Sequence, residues 1–183
     1  MRIVVVGDIH TQAAKLWHIL SEAGLAGADH RPSEAFLASD TQLVLLGDLV
    51  HAKSRERYAQ LTGVHRYDEY NPEHIRRAET KQLRFLAEVK AFQDLVPNNR
   101  MTILMGNHDY NAVHAEQGPL RTDDVSHLEW KEGHGNPLDP ALAAWVKSWP
   151  HNLEIEGVHF AHVGPLEEHN TYDTGFYLEN RRR

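Results

Sequence analysis

Three times in this chain a short apolar run stops at a glycine that is followed at once by Asp or Asn. A fourth stretch, with the pattern of a strand, stops at a histidine. The runs are Ile3-Val4-Val5-Val6 before Gly7-Asp8-Ile9-His10, and Leu43-Val44-Leu45-Leu46 before Gly47-Asp48-Leu49-Val50-His51. Met101 to Met105 precedes Gly106-Asn107-His108-Asp109, and Leu153 to Ala161 precedes His162-Val163-Gly164. The first three, short and largely apolar, read as buried strands, and the fourth carries a strand pattern. Helical spacing lies between them. Leu16, Ile19, Leu20 and Ala23 form one stripe, closed by Gly24. Asn71-Pro72 opens a longer one through Ile75, Ala78, Phe85, Leu86, Val89, Phe92 and Val96, stopped by Pro97. Asp139-Pro140 caps a third, carrying Leu142, Trp145, Val146 and Trp149. Strands alternating with helices predict an α/β fold. In such sheets a site forms outside the carboxyl ends of the strands, where these four motifs lie. Residues 25–39 read as a loop, 52–70 as polar chain, and 110–136 as an irregular stretch able to serve as a lid.

The residue types at those strand ends suit metal chemistry. The chain has no Cys and 14 His, so any metal is held by nitrogen and oxygen. Asp8 and His10, two apart on an extended segment, point the same way and can grip one cation. Alone they read as a strand-end turn; with the other motifs the metal reading prevails. Asp48 has two oxygens with which to bridge a pair of ions, Asn107 offers an amide oxygen and His162 an imidazole. That mixture suits Mn²⁺, Fe or Zn²⁺. Two ions about 3.5–4 Å apart can clamp a phosphate and activate water. His108, beside a ligand, is placed to protonate a leaving oxygen. His159 lies three residues from His162 and faces the other side of the strand, as a core or supporting residue. His114, His127 and His134 read as surface residues.

Size and charge narrow the partners. A chain of 183 residues forms one well-buried domain and is short for two, so residues 1–183 read as a single domain. With 26 acidic against 19 basic residues the net charge is −7, which argues against nucleic acid as a partner. No apolar run approaches the ~20 residues of a membrane span, and the N-terminus has no signal-peptide cleavage pattern. A cytoplasmic location is expected. The sequence sets no oligomeric state.

Asp8-Ile9-His10, Gly47-Asp48-Leu49-Val50, Gly106-Asn107-His108-Asp109 and His162-Val163-Gly164 together resemble the motifs of the calcineurin-like metallophosphoesterase superfamily. The order and the apolar strand before each motif fit. Leu153 to His162 is similar to the branch with the Ser/Thr protein phosphatases and diadenosine tetraphosphatases. The resemblance implies a four-layer fold, two mixed β-sheets flanked by helices. It implies that Asp8 and His10 bind one divalent ion, that Asp48 bridges, and that Asn107 and His162 bind the second, Mn²⁺ first and Fe or Zn²⁺ next. His108 would act on the leaving group, and the nucleophile would be metal-bound hydroxide. The implied reaction is hydrolysis of a phosphorylated small molecule or phosphoprotein. A dinucleoside polyphosphate and then a nuclease substrate follow, and a non-catalytic metal- or phosphate-binding module is the reading outside catalysis.

Three departures stand out. Where the phosphatase branch has Asp-Arg-Gly, this chain has His51-Ala52-Lys53. The phosphate-gripping Arg is missing there; Lys53, Arg55 or Arg57 could substitute. His51 cannot stand in for Asp as a fixed anion, and is read as a substrate contact or a solvated loop residue in equal measure. The Gly after Asp-x-His is Thr11. The family's last ligand motif is absent, which implies a second sheet truncated at its C-terminal part or a substitute among Glu167, Glu168, His169, Asp173 and Glu179.

Overall fold

The computed structural model describes residues 1–114, 125–131, 135 and 138–164. The sheet is built as the sequence predicts. Strands β1 (Ile3–Val6), β2 (Gln42–Leu45) and β3 (Met101–Ile103) pair in parallel, in the order β1-β2-β3. Ile3 lies opposite Gln42 and Val6 opposite Leu45, while Leu43 faces Met101 and Leu45 faces Ile103. This register brings all three carboxyl ends level, so the loops after them share one edge.

Helices supply the apolar cover. Helix α1 (Ala13–Glu22) buries Leu16, Trp17 and Leu20, and α4 (Pro72–Leu95) buries Phe85, Leu86, Val89 and Phe92. Both stripes pack with Leu43 and Leu45 of β2 in one cluster. Each such side chain, fully buried, contributes about 1.5–3 kcal/mol. Asn71 caps α4 as expected, accepting from the Glu73 amide at 2.9 Å, with Pro72 in the first turn. Helix α6 (Pro140–Lys147) starts at Asp139, whose carboxylate accepts from the amides of Ala141 and Leu142.

The polar segments carry more structure than their composition suggests. Residues 34–38 form helix α2 (Glu34–Ala38), capped by Ser33, which accepts from the Phe36 amide at 3.0 Å. Phe36 drives it, buried against Phe92. Arg100 closes its other end, donating to the carbonyls of Phe36, Leu37 and Ser39. Arg100→Met removes those donors, and a loss of about 2 kcal/mol is expected in urea unfolding. Wild-type stability would show that water serves these carbonyls as well.

Residues 55–62 form α3 (Arg55–Thr62), with Ser54 as its N-cap and Gly63 at φ +72° as its C-cap. Tyr58 stacks on Tyr67 at 4.5 Å in a second small core with Ala52, Ala78 and Val125. The run of residues 153–161 is a hairpin rather than one strand. Strands β4 (Asn152–Ile155) and β5 (Val158–Ala161) are antiparallel, and Glu156-Gly157 turns them with φ +49° and +77°. Two positive φ values in a two-residue turn match the strand twist. The α/β expectation holds, with the sheet of β1 to β3 wholly parallel and the hairpin a separate antiparallel pair. His159 is exposed on β5 rather than in the core, because the hairpin's outer face is open. His114 and His127 are half-buried, against Tyr110 and Tyr70. His134 and residues 165–183, with the tail acids and His169, lie outside the described residues.

Candidate metal centre

The loop after β3 does not stay extended. Gly106-Asn107-His108-Asp109 is the first turn of helix α5 (Asn107–Val113), which places Asp109 at its third position. The Asp109 carboxylate then ties the strand ends together. It accepts from the amides of Asp48 at 2.6 Å, Leu49 at 2.9 Å, Val50 at 3.3 Å and Gly106 at 3.2 Å. Asp48 answers by accepting from the His108 amide at 2.9 Å. The approach is so close that a Cβ on Gly106 would fall on the Asp48 amide and carboxylate. Glycine is therefore required at position 106.

Two histidines enter this knot in the same way. His10 donates its Nδ1–H to the carbonyls of Val50 and His51, at 3.2 and 3.0 Å. His162, just past β5, donates Nδ1–H to the Leu46 carbonyl at 2.9 Å. A ring nitrogen held by a carbonyl fixes the tautomer and leaves the Nε2 lone pair outward, as metal-binding histidines require. Both Nε2 atoms face Asp48, one at each oxygen. His10 Nε2 is 3.5 Å from Oδ2, and His162 Nε2 is 3.5 Å from Oδ1. Asp8 Oδ2 lies 3.6 Å from His10 Nε2, and Asn107 Oδ1 lies 2.9 Å from His162 Nε2.

These residues fit a cation. His10 is 4% exposed, yet its Nε2 has no hydrogen-bond partner and lies beside carboxylate oxygens of Asp8 and Asp48. An unmade hydrogen bond there costs about 1–3 kcal/mol, which a bound ion would recover. Two ligand groups can be drawn, His10 with Asp48 and His108, and Asp8 with Asp48 and His162; Asp48 belongs to both. Burial lowers the His10 pKa, with the Lys53 charge adding to the effect, so the lone pair persists at neutral pH. Burial likewise raises the Asp48 pKa, opposed by His162, the His108 amide and His10.

The structure thus brings Asp8, His10, Asp48, Asn107, His108 and His162 to one place. Lys53 is exposed beside them, at φ +53°. Arg55 is turned to Glu69 in a paired contact that raises its pKa. His51 departs from both readings made of it. At 2% exposed it is neither a solvated loop residue nor a surface for substrate, because its ring packs behind His108, edge-on at 5.2 Å. Thr11 keeps a left-handed backbone, φ +64°, where a glycine would sit without strain. His10, Asp48 and His51 share that region, so the loops after β1 and β2 concentrate strain at the centre.

The profile of the calcineurin-like phosphoesterase family matches residues 1–180. The chain belongs to that family. A solved metallophosphoesterase from Sphaerobacter thermophilus is similar at 18% identity and a TM-score of 0.46, over 93% of this chain and 49% of that one. This phosphoesterase-family chain thus spans about half the length of that structure. No curated protein matches it.

Sequence patterns do not announce every participant. Asp109 stands in the motif without a role of its own, and its place three residues after Gly106 is the capping signal that points to one. Glu79 and Gln82 sit inside the apolar stripe of α4 and are both 0% exposed. Polar residues at core positions of a helix are that signal. Glu129, 5% exposed, comes from a stretch with no pattern.

Proposed function

We propose that the chain hydrolyses a phosphate ester, a phosphomonoester or phosphoprotein before other classes, using two divalent ions. The carrying observation is that His10 and His162 set their Nε2 atoms beside opposite oxygens of one buried carboxylate. Asp8 and His10 would hold one ion, Asn107 and His162 the other, with Asp48 between. Bound divalent cations neutralise phosphate charge and make water nucleophilic at neutral pH. The chain's own residues do the rest. Asp109 and the Asp48 amide fix the site before substrate arrives, so little reorganisation is left for the reaction. His108 offers its ring at the centre's edge to give a proton to the leaving oxygen. Lys53, exposed at the rim, supplies positive charge for a phosphate that is not taken up by the ions. The net charge of −7 favours small or phosphoprotein substrates over nucleic acid. Among the described residues no helix is long and apolar enough to cross a membrane.

The test is turnover of an aryl phosphate by this chain, with and without Mn²⁺. Turnover that requires Mn²⁺ supports the proposal. Metal uptake with no hydrolysis of aryl or alkyl phosphates would make the chain a binding module instead.

A further inference from the structure

His51 is buried with a polar ring that the metal-centre geometry leaves unexplained. Its Nδ1 lies 3.0 Å from His108 Nδ1. At that distance one ring donates and the other accepts. On its far side His51 Nε2 is buried, without a hydrogen-bond partner, and 3.9 Å from Glu129 Oε2. The side chains of His51 and Glu129 are 2% and 1% exposed.

We propose that Glu129, acting through His51, positions His108 by fixing which of its ring nitrogens carries the standing proton. Resting on the phosphoester-hydrolysis reading, this makes Glu129 and His51 positioning residues for the leaving-group acid. A carboxylate facing His51 Nε2 favours the proton on that nitrogen. His51 Nδ1 is then the acceptor, and His108 must donate Nδ1–H to it. His108 Nε2 is left as the atom that gives a proton to the leaving oxygen and regains one from water. Gln82 sets the spacing of this relay. Its Nε2 donates to Glu129 Oε2 at 2.5 Å, and its Oε1 accepts from the His51 amide at 2.7 Å. One buried side chain thus holds both members of the pair. The turn at residues 125–130 places Glu129 behind the His51 ring.

The experiment compares wild type, Glu129→Gln and Glu129→Asp on two substrates. Nitrophenyl phosphate has a leaving group that needs no proton, and glycerol phosphate has one that does. Glu129→Gln is expected to lower kcat on glycerol phosphate about 10- to 100-fold at unchanged KM. On nitrophenyl phosphate the loss should be small, and Glu129→Asp should recover part of the loss on glycerol phosphate. Equal losses on both substrates, with no recovery by Asp, would overturn the proposal. Imidazole ¹⁵N spectra of the metal-loaded wild type decide without turnover. His108 should show a protonated Nδ1, and an unprotonated Nδ1 would overturn the relay. If wild type hydrolyses neither substrate, the phosphoester reading fails, while the ¹⁵N result still stands or falls alone.

Discussion

Asp48→Asn is expected to reduce metal-dependent hydrolysis about a thousandfold, while raising the thermal stability of the metal-free protein. The two effects have one cause. Asp48 is 1% exposed, and burial raises its pKa, so its charge is held at a cost. Asn has the same shape, and its amide oxygen can still accept from the His108 amide, the contact now made at 2.9 Å. The fold is therefore kept and the buried charge relieved. Asn has one oxygen, however, and no charge, so it cannot offer a charged oxygen to a cation on both the His10 and the His162 side. Mn²⁺ stoichiometry by metal analysis should fall together with turnover, and the unfolding temperature under chelator should rise. A variant that kept wild-type hydrolysis would remove Asp48 from the centre. Gain of stability with loss of activity is the usual trade at sites held under strain.

Asp109→Ala is expected to have the largest effect on stability. Four backbone amides, from Asp48, Leu49, Val50 and Gly106, lose their acceptor at once. An orphaned buried donor costs about 1–3 kcal/mol, and a domain has only about 5–15 kcal/mol in total. Unfolding in urea should shift by several kcal/mol, with the fold lost outright at the upper end. Asp109→Asn should be milder, since one oxygen remains for Leu49 and Val50. A shift under about 1 kcal/mol for Asp109→Ala would mean that water replaces the carboxylate.

The same residue sets a pH dependence. Burial and the Asp48 charge push the Asp109 pKa up to about 8 from 3.8, against the pull of the amides. Between those values the folded protein binds a proton that the unfolded chain has released, so stability falls as pH rises. His10 and His51 act oppositely, but only below their ordinary 6.5, because burial lowers both. Above that value, up to about pH 8, the carboxylates act alone. Chelator-treated protein should melt lower at the top of that window than at its foot, and Mn²⁺ should narrow the gap. Equal melting temperatures without metal would contradict this.

Much of this centre can be read along the chain because each cluster of candidate ligands follows directly on a strand. The strand patterning is local: Ile3 to Val6 and Leu43 to Leu46 declare strands, and Asp8, His10 and Asp48 come directly after them. Asn107 and His108 are legible from their motif even though they begin a helix. What the pattern hides is whatever depends on distant packing. Ser54 and Gly63 bracket α3, but its polar sequence shows no stripe, since only Tyr58 and Thr62 are buried. The hairpin reads as a single strand because its two short strands are joined by only Glu156-Gly157. His51 reads as accessible because polarity suggests exposure, whereas its burial comes from His108, Gln82 and Glu129, all remote in sequence. Arg100 and Phe92, packed on Phe36, make a helix out of an expected loop by the same kind of long-range contact, with Ser33 as a local cap.

The span of those contacts has a kinetic consequence. His10 meets the His51 carbonyl across 41 residues, Asp109 meets the Asp48 amide across 61, and His162 meets Leu46 across 116. Closing long loops is slow compared with forming helices. α1 and α4 can therefore form well before any cation has a complete set of donors, and a ribosome must release the chain beyond His162 before loading can finish. Uptake of metal during refolding should then run at the rate of the slowest folding phase, independent of metal concentration, so that the ion clocks the end of folding rather than its start.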